Sequence, residues 1–302
     1  MERFQGEDGG IYLKIAQFIS LARVPTLAGT VVPIMVGGAL GLSVKKFDLF
    51  DWLDILVVAL LMQIATNALN EYGDYRHGID TDTGPGFSGI IVTKKVSAKV
   101  VLLIAATCYA IAFSLGIALV FVRGVVMLLL GATAFLAGVL YSEGPLPVSS
   151  TPLGETLVGL VMGPIEVISA CLAASGEIPY LSFVFSIPVG LMVAAILLTN
   201  NLRDIDKDRN HGRQTLATLI GRKRGSVTLF MMIVMTFLWS FPAFFLFSAS
   251  ASVFLLWLAF PVALQSYRIL KSNLRWDKSV AMISKLNLLI GTLLALSILL
   301  HF

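Results

Sequence analysis

Nine apolar runs, each close to the roughly 20 residues that a helix needs to cross a bilayer, take up most of this chain: 15–43, 52–71, 99–121, 124–142, 153–174, 180–202, 226–247, 251–270 and 280–301. Inside lipid the backbone must satisfy its own hydrogen bonds, and a helix does so within a single segment. The runs therefore predict an all-α membrane protein of about nine transmembrane helices. With 57% hydrophobic and 13% charged residues and a mean hydropathy of +0.88, a water-soluble globule is excluded. The first run is too long for a cleavable signal and contains Arg23 and Pro25, so it reads as a retained helix. Cys108 and Cys171 fall inside predicted spans, as small packing residues. No Pro/Ser-rich linker divides the chain, which reads as one domain over 1–302.

Basic residues fix the orientation, because cytoplasmic loops carry the excess of Lys and Arg. Arg76, Lys94, Lys95 and Lys99 follow the second run, Arg203, Lys207, Arg209, Arg213, Arg222, Lys223 and Arg224 the sixth, and Lys271, Arg275 and Lys278 the eighth. The other side has only Lys45, Lys46 and Arg123. The N-terminus and the two largest charged loops are thus expected in the cytoplasm, and the C-terminus on the opposite face. Topology and a local anionic ligand account for the basic pI near 9.1. No nucleic-acid motif is present.

The two longest polar segments resemble each other: TNALNEYGDYRHG from Thr66 to Gly78, and TNNLRDIDKDRNHG from Thr199 to Gly212. Each begins Thr-Asn-x-Leu at the end of a span, runs into carboxylates and closes on His-Gly. Four helices separate the copies, so an even number of crossings puts both on one side of the membrane. Residues three and four apart share a helix face. Asn67, Asn70 and Asp74 line one stripe, and Asn200, Asp204 and Asp208 another, with Asn201 beside it. Single charges near helix ends are commonly solvated anchors. Two matched clusters are different, since adjacent carboxylates repel unless a cation neutralises them.

Carboxylate and amide oxygens are hard ligands that suit Mg²⁺ and not zinc, and the only histidines are His77, His211 and His301. Mg²⁺ held by one or two carboxylates completes its shell with phosphate oxygens and water. Interleaved Arg and Lys complement the remaining phosphate charge. A diphosphate at a membrane surface whose remainder dissolves in lipid is most economically a polyprenyl diphosphate.

On these segments the chain resembles the UbiA superfamily of intramembrane prenyltransferases. ARVPTLAGTVVPIMVGG is similar to that family's opening R-P-x-x-L…P segment, YSEGPLPVSSTPLGE to its middle segment, and NNLRDIDKDRNHGRQTLATLIG to its second motif. The first motif departs from the family's N-D-x-x-D-x-x-x-D: here Asn70, Glu71 and Asp74 are followed by Gly78, and Asp80 comes two residues late. That spacing, followed by GPG, is similar to the menaquinone-type branch, which prenylates 1,4-dihydroxy-2-naphthoate. Asp82 competes with Asp80 for the role.

The resemblance implies helices around a central cavity, capped on the cytoplasmic side by the two Asp-rich loops. It also implies Mg²⁺-assisted ionisation of the allylic C–O bond and capture of the cation by an electron-rich acceptor. Its metal and diphosphate ligands map to Asn70, Asp74, Asp80, Asp204 and Asp208, with Asn67 and Asn201 in support. Arg23, Lys94, Arg209 and Arg213 are the implied diphosphate contacts, Lys95 competing with Lys94. Tyr141 and Ser142 match a cavity position where the phenol orients diphosphate or acceptor; a tyrosine at a span end is otherwise an interfacial residue. Asp74, Asp208 and Tyr141 are the expected catalytic set.

Glu155 and Glu166 lie in or beside the fifth run, where an acid marks a functional position; the sequence leaves the direction of Glu166 open. TGPGFSG, Thr83 to Gly89, reads as a turn before Lys94. A secondary transporter would place its charges near the bilayer midplane within interrupted spans, whereas here they cluster after span ends. Other quinone precursors such as 4-hydroxybenzoate, an archaeal prenylated glycerol lipid and porphyrin-type acceptors stay open beside the naphthoate.

Overall fold

The computed structural model describes residues 15–44, 47–80, 89–142, 146–271 and 276–300. Asp82 and most of the Thr83 to Gly89 turn lie outside the described residues. Within them, every element is helical: α1 (Ile15–Ala22), α2 (Ala28–Ser43), α3 (Leu49–Arg76), α4 (Ala98–Arg123), α5 (Val125–Ser142), α6 (Gly154–Leu160), α7 (Glu166–Ser175), α8 (Tyr180–Arg203), α9 (Ile205–Asn210), α10 (Leu216–Leu238), α11 (Ser240–Phe245), α12 (Phe260–Lys271) and α13 (Trp276–Leu299). A π-helical turn, Val161–Ile165, joins α6 to α7, and a 3-10 helix, Ala251–Ala259, leads into α12.

Among the described residues eight helices are long and apolar enough to cross a membrane, and a ninth apolar helix, α2, is shorter. The expected first span, 15–43, breaks. Arg23 adopts the left-handed conformation (φ 52°, ψ 53°), and a 3-10 turn over Val24–Leu27 follows with a proline in its first positions. The left-handed backbone at Arg23 ends α1, and the chain restarts as α2 after the 3-10 turn. At 1.5 Å per residue the 16 residues of α2 rise about 24 Å, short of the roughly 30 Å hydrocarbon core.

Local chemistry sets the other boundaries. Asp48 caps α3 by accepting from the backbone amides of Phe50 and Asp51 at 3.0 and 3.1 Å. Thr215 caps α10 by accepting from Thr218 N at 3.3 Å. Gly124, at φ 80°, turns α4 directly into α5, a conformation that costs glycine nothing.

The helices pack through small residues, as expected where lipid competes for every apolar contact. On α2, a Cβ at Gly37 would stand 2.4 Å from the Val167 carbonyl of α7, and one at Gly163 would stand 2.7 Å from the Gly190 Cα of α8. The buried centre runs from Val32, Val36 and Leu40 of α2 through Met192 and Leu198 of α8 to Ile290 and Leu294 of α13. Leu103, Phe121, Leu129 and Leu160 face outward, where lipid is their natural solvent. Buried polar groups tie helices together: Asn287 donates to the Ala28 carbonyl at 3.0 Å, and Trp52 donates its indole N–H to Ile34 O at 3.1 Å.

Candidate active site

The two charged segments meet. The first occupies the last turns of α3; the second leaves α8 at Arg203, forms α9 and turns into α10. Their closing His-Gly pairs are built alike. His77 and His211 each direct ring Nδ1 to the carbonyl four residues earlier, Gly73 and Lys207, both at 2.9 Å. Gly78 and Gly212 follow with φ of 67° and 71°, a backbone state that favours glycine. Both segments wall one pocket of about 550 Å³, through Asn70, Gly73, Asp74 and His77 on one side and His211, Gly212 and Arg213 on the other, closed by Ser142 and the stretch 146–152.

Arg213 organises this pocket. Its guanidinium lies 3.7 Å from Asp74 and 3.3 Å from Asp208, and it donates to the Ser149 carbonyl at 3.0 Å. Asp208 is buried at 3% exposure. Burial pushes its carboxyl up to about 6, with repulsion from Asp204 and Asp74 adding and Arg213 and Lys207 opposing. Lys207 pairs with the buried Asp80. Asp204 forms a two-pronged pair with its neighbour Arg203, at 2.7 and 2.6 Å, and is partly exposed.

Beneath the pocket lies a second, mostly apolar cavity of about 480 Å³ between α2, α3, α4, α5, the α6–α7 helix and α8. Ile55, Met62, Leu119, Met127 and Val193 line it, together with Arg23, Asn67, Asn70, Tyr141, Glu166 and Asn200. Asn70 belongs to the walls of both spaces. Arg23 reaches its cavity because the left-handed break between α1 and α2 falls at that residue; its guanidinium is 3.9 Å from the buried Glu71.

Several expected residues have other partners. Asn67 donates to Ala22 O at 3.0 Å and accepts from Gln63 at 3.3 Å, pinning the end of α1 to α3. Asn201 donates to Glu155 at 2.9 Å. Arg209 donates to Thr218 O at 3.3 Å. Ser142 donates to Thr66 O at 3.5 Å, from the edge of the outer pocket. Lys94 is exposed with φ 55°, and Lys95 is exposed beside it; neither lines these two spaces. Two residues gain weight from the structure. Asn200 enters the inner cavity with its amide oxygen buried and unpartnered, and its spacing from Asp204 and Asp208 was a visible signal. Glu71 accepts from Ile90 N at 2.8 Å, fastening the segment after the first motif, and nothing in its spacing announced that role.

Among the described residues no group of three or more Asp, Glu, His or Cys side chains is assembled as a metal centre. Arg213 and Lys207 stand between the carboxylates. The donor chemistry nevertheless fits Mg²⁺: the oxygens are hard, Asp80 Oδ2 and Asn200 Oδ1 are buried without a hydrogen bond, and both histidines on the pocket are turned to backbone carbonyls. The residues able to hold the ion with a phosphate are Asn70, Asp74, Asp208, Asp80 and Asp204.

Comparison with known proteins gives the family and the fold. Residues 30–293 match the UbiA prenyltransferase family. A 1,4-dihydroxy-2-naphthoate octaprenyltransferase of Bacillus subtilis is 33% identical over 285 residues, covering 93% of this chain and 92% of that protein. The octaprenyltransferase of the same description from Escherichia coli is 31% identical over 66% of this chain and 67% of its own. Among solved structures, an apo UbiA homolog from Aeropyrum pernix K1 superposes with a TM-score of 0.68 at 21% identity, covering 96% of this chain and 99% of that one. A UbiA homolog from Archaeoglobus fulgidus bound to GPP and Mg²⁺ gives 0.65 at 16% identity, over 92% and 99%; likeness at this identity shows the fold.

Proposed function

Because the chain belongs to the UbiA prenyltransferase family, we propose that it transfers a prenyl group from a polyprenyl diphosphate to an aromatic acceptor, 1,4-dihydroxy-2-naphthoate, in a Mg²⁺-dependent reaction at the cytoplasmic face of the membrane. The observation that carries this reading is the wall shared through Asn70. A polar pocket flanked by Asp74 and Arg213 opens beside an apolar cavity, so a ligand with an anionic head and an oily tail finds both environments in register. The naphthoate rests on the names of the Bacillus and Escherichia relatives.

The residues divide the work by their chemistry. Arg213 and Arg23 hold the diphosphate, and Asp74 and Asp208 with Asn70, Asp80 and Asp204 hold the ion. When bound, Mg²⁺ supplies charge neutralisation for the diphosphate. The allylic C–O bond breaks and its electron pair leaves with the diphosphate. Arg213 stays near the growing negative charge, where a preorganised cation is most effective. The apolar cavity keeps water from the allylic cation, and Tyr141 presents its ring and hydroxyl at the boundary. An electron-rich ring carbon of the acceptor then forms the new C–C bond; the bond from that carbon to its hydrogen, or to the carboxylate it carries, breaks, a proton or CO₂ leaves, and the electron pair returns to the ring and restores aromaticity.

Purified protein is given labelled geranylgeranyl diphosphate and the naphthoate, with Mg²⁺ or with EDTA. Product that requires Mg²⁺ and disappears in Asp74→Ala and Asp208→Ala supports the reading. Folded wild type that makes none overturns it.

A further inference from the structure

Glu166 is the acidic side chain on the wall of the inner cavity. It lies beside the π-helical turn Val161–Ile165, which contains Pro164, in the span Gly154–Ser175. Its carboxyl oxygen Oε2 is buried without a hydrogen-bond partner. Nearby Ser169 is already committed, donating to Ile165 O at 2.7 Å. An unpaired acid in a membrane span is costly to keep, so its place on a cavity wall calls for a ligand.

Helix geometry explains why Glu166 reaches the cavity. Val158, Met162 and Glu166 all line it, a row at intervals of four. In a plain α-helix of 3.6 residues per turn such a row drifts around the axis; a π turn, with i→i+5 bonding, is wider and holds the row on one side. Counting from Glu155 near the start of α6, Glu166 is 11 residues along, about 16 Å deeper at the helical rise. It therefore lines the inner cavity and not the charged pocket.

We infer that Glu166 marks the acceptor subsite, its free oxygen Oε2 accepting a hydrogen bond from a ring hydroxyl of the aromatic acceptor. The inference rests on the proposed reaction and adds to it where the second substrate is held. A prenyl chain has no hydrogen to offer a carboxyl oxygen, whereas a phenolic acceptor does.

The test is steady-state transfer in detergent with 1,4-dihydroxy-2-naphthoate and geranylgeranyl diphosphate, each KM measured separately, for wild type, Glu166→Leu and Glu166→Gln. Loss of one hydrogen bond corresponds to about tenfold, so Glu166→Leu is expected to raise the acceptor KM about tenfold and leave the diphosphate KM unchanged. Glu166→Gln keeps an acceptor oxygen and should recover most of the difference. Leucine also removes a buried unpaired polar group, so the unfolding temperature should hold or rise. An unchanged acceptor KM in Glu166→Leu, or an equal rise for both substrates, overturns the inference while wild-type turnover leaves the reaction standing. If Glu166→Leu fails to fold, Glu166→Gln decides: it must keep an acceptor KM within about threefold of wild type, under one hydrogen bond's worth, or the inference falls. No transfer by folded wild type overturns the proposed reaction and this inference together.

Discussion

Arg213 is the residue on which the charged pocket turns. Poised 3.7 and 3.3 Å from Asp74 and Asp208, it neutralises two carboxylates from opposite motifs. A diphosphate with its cation would exchange those contacts for phosphate oxygens. Arg213→Gln should therefore weaken diphosphate binding strongly, which isothermal titration with geranylgeranyl diphosphate and Mg²⁺ would show as a rise in Kd of at least tenfold, the scale of a lost charge-assisted hydrogen bond. Asp74→Ala and Asp208→Ala should each lower kcat/KM by about a hundredfold or more, the size seen when a stabiliser of transition-state charge is removed. Asp204 is different. It is partly exposed and paired with Arg203, so Asp204→Asn should cost less than Asp208→Asn in the same assay.

At the scale of elements, close helix approach and open space are separable through glycine. Gly163→Ala drives a methyl to 2.7 Å from the Gly190 Cα, backbone that cannot rotate aside; α6–α7 and α8 must part, at about 2 kcal/mol. A lower unfolding temperature in detergent checks it. Gly131 of α5 lines the inner cavity, and a Cβ built there meets nothing within 4 Å. Gly131→Leu should leave the unfolding temperature near wild type while narrowing the cavity, so that kcat/KM falls more for long-chain than for short-chain prenyl diphosphates. Equal loss across chain lengths would show that the prenyl chain runs elsewhere.

For the whole molecule the open quantity is parity. Eight described helices meet the length of a crossing and α2 does not, and from the basic residues we propose that both motif segments face the cytoplasm. Three crossings follow the second motif, which puts residue 300 on the face opposite the motifs whether or not α2 crosses, so α2 decides only the side on which α1 lies. The only cysteines, Cys108 and Cys171, are free and buried, so a single added thiol reports cleanly. Leu300→Cys is expected to label with a membrane-impermeant maleimide from outside intact cells, and Lys94→Cys only after the membrane is opened.

Much of this was legible in the chain alone. Apolar runs and Lys/Arg placement depend only on local composition, because lipid selects length and hydropathy before any tertiary contact exists. The paired Thr-Asn-x-Leu…His-Gly segments announced a shared site, and the family resemblance carried the reaction class. What composition could not show was where a run breaks or which way a side chain turns. The N-terminal run is apolar throughout, yet the backbone at Arg23 splits it and brings that arginine to the cavity. Asn67 shares a helical stripe with Asn70, but only packing reveals that one pins α1 while the other joins two spaces. Glu166 was an acid of unknown direction until the π turn placed it on a wall. Period and composition are properties of neighbours along the chain. Partners and cavities arise between helices far apart in sequence, so only the tertiary structure could decide them.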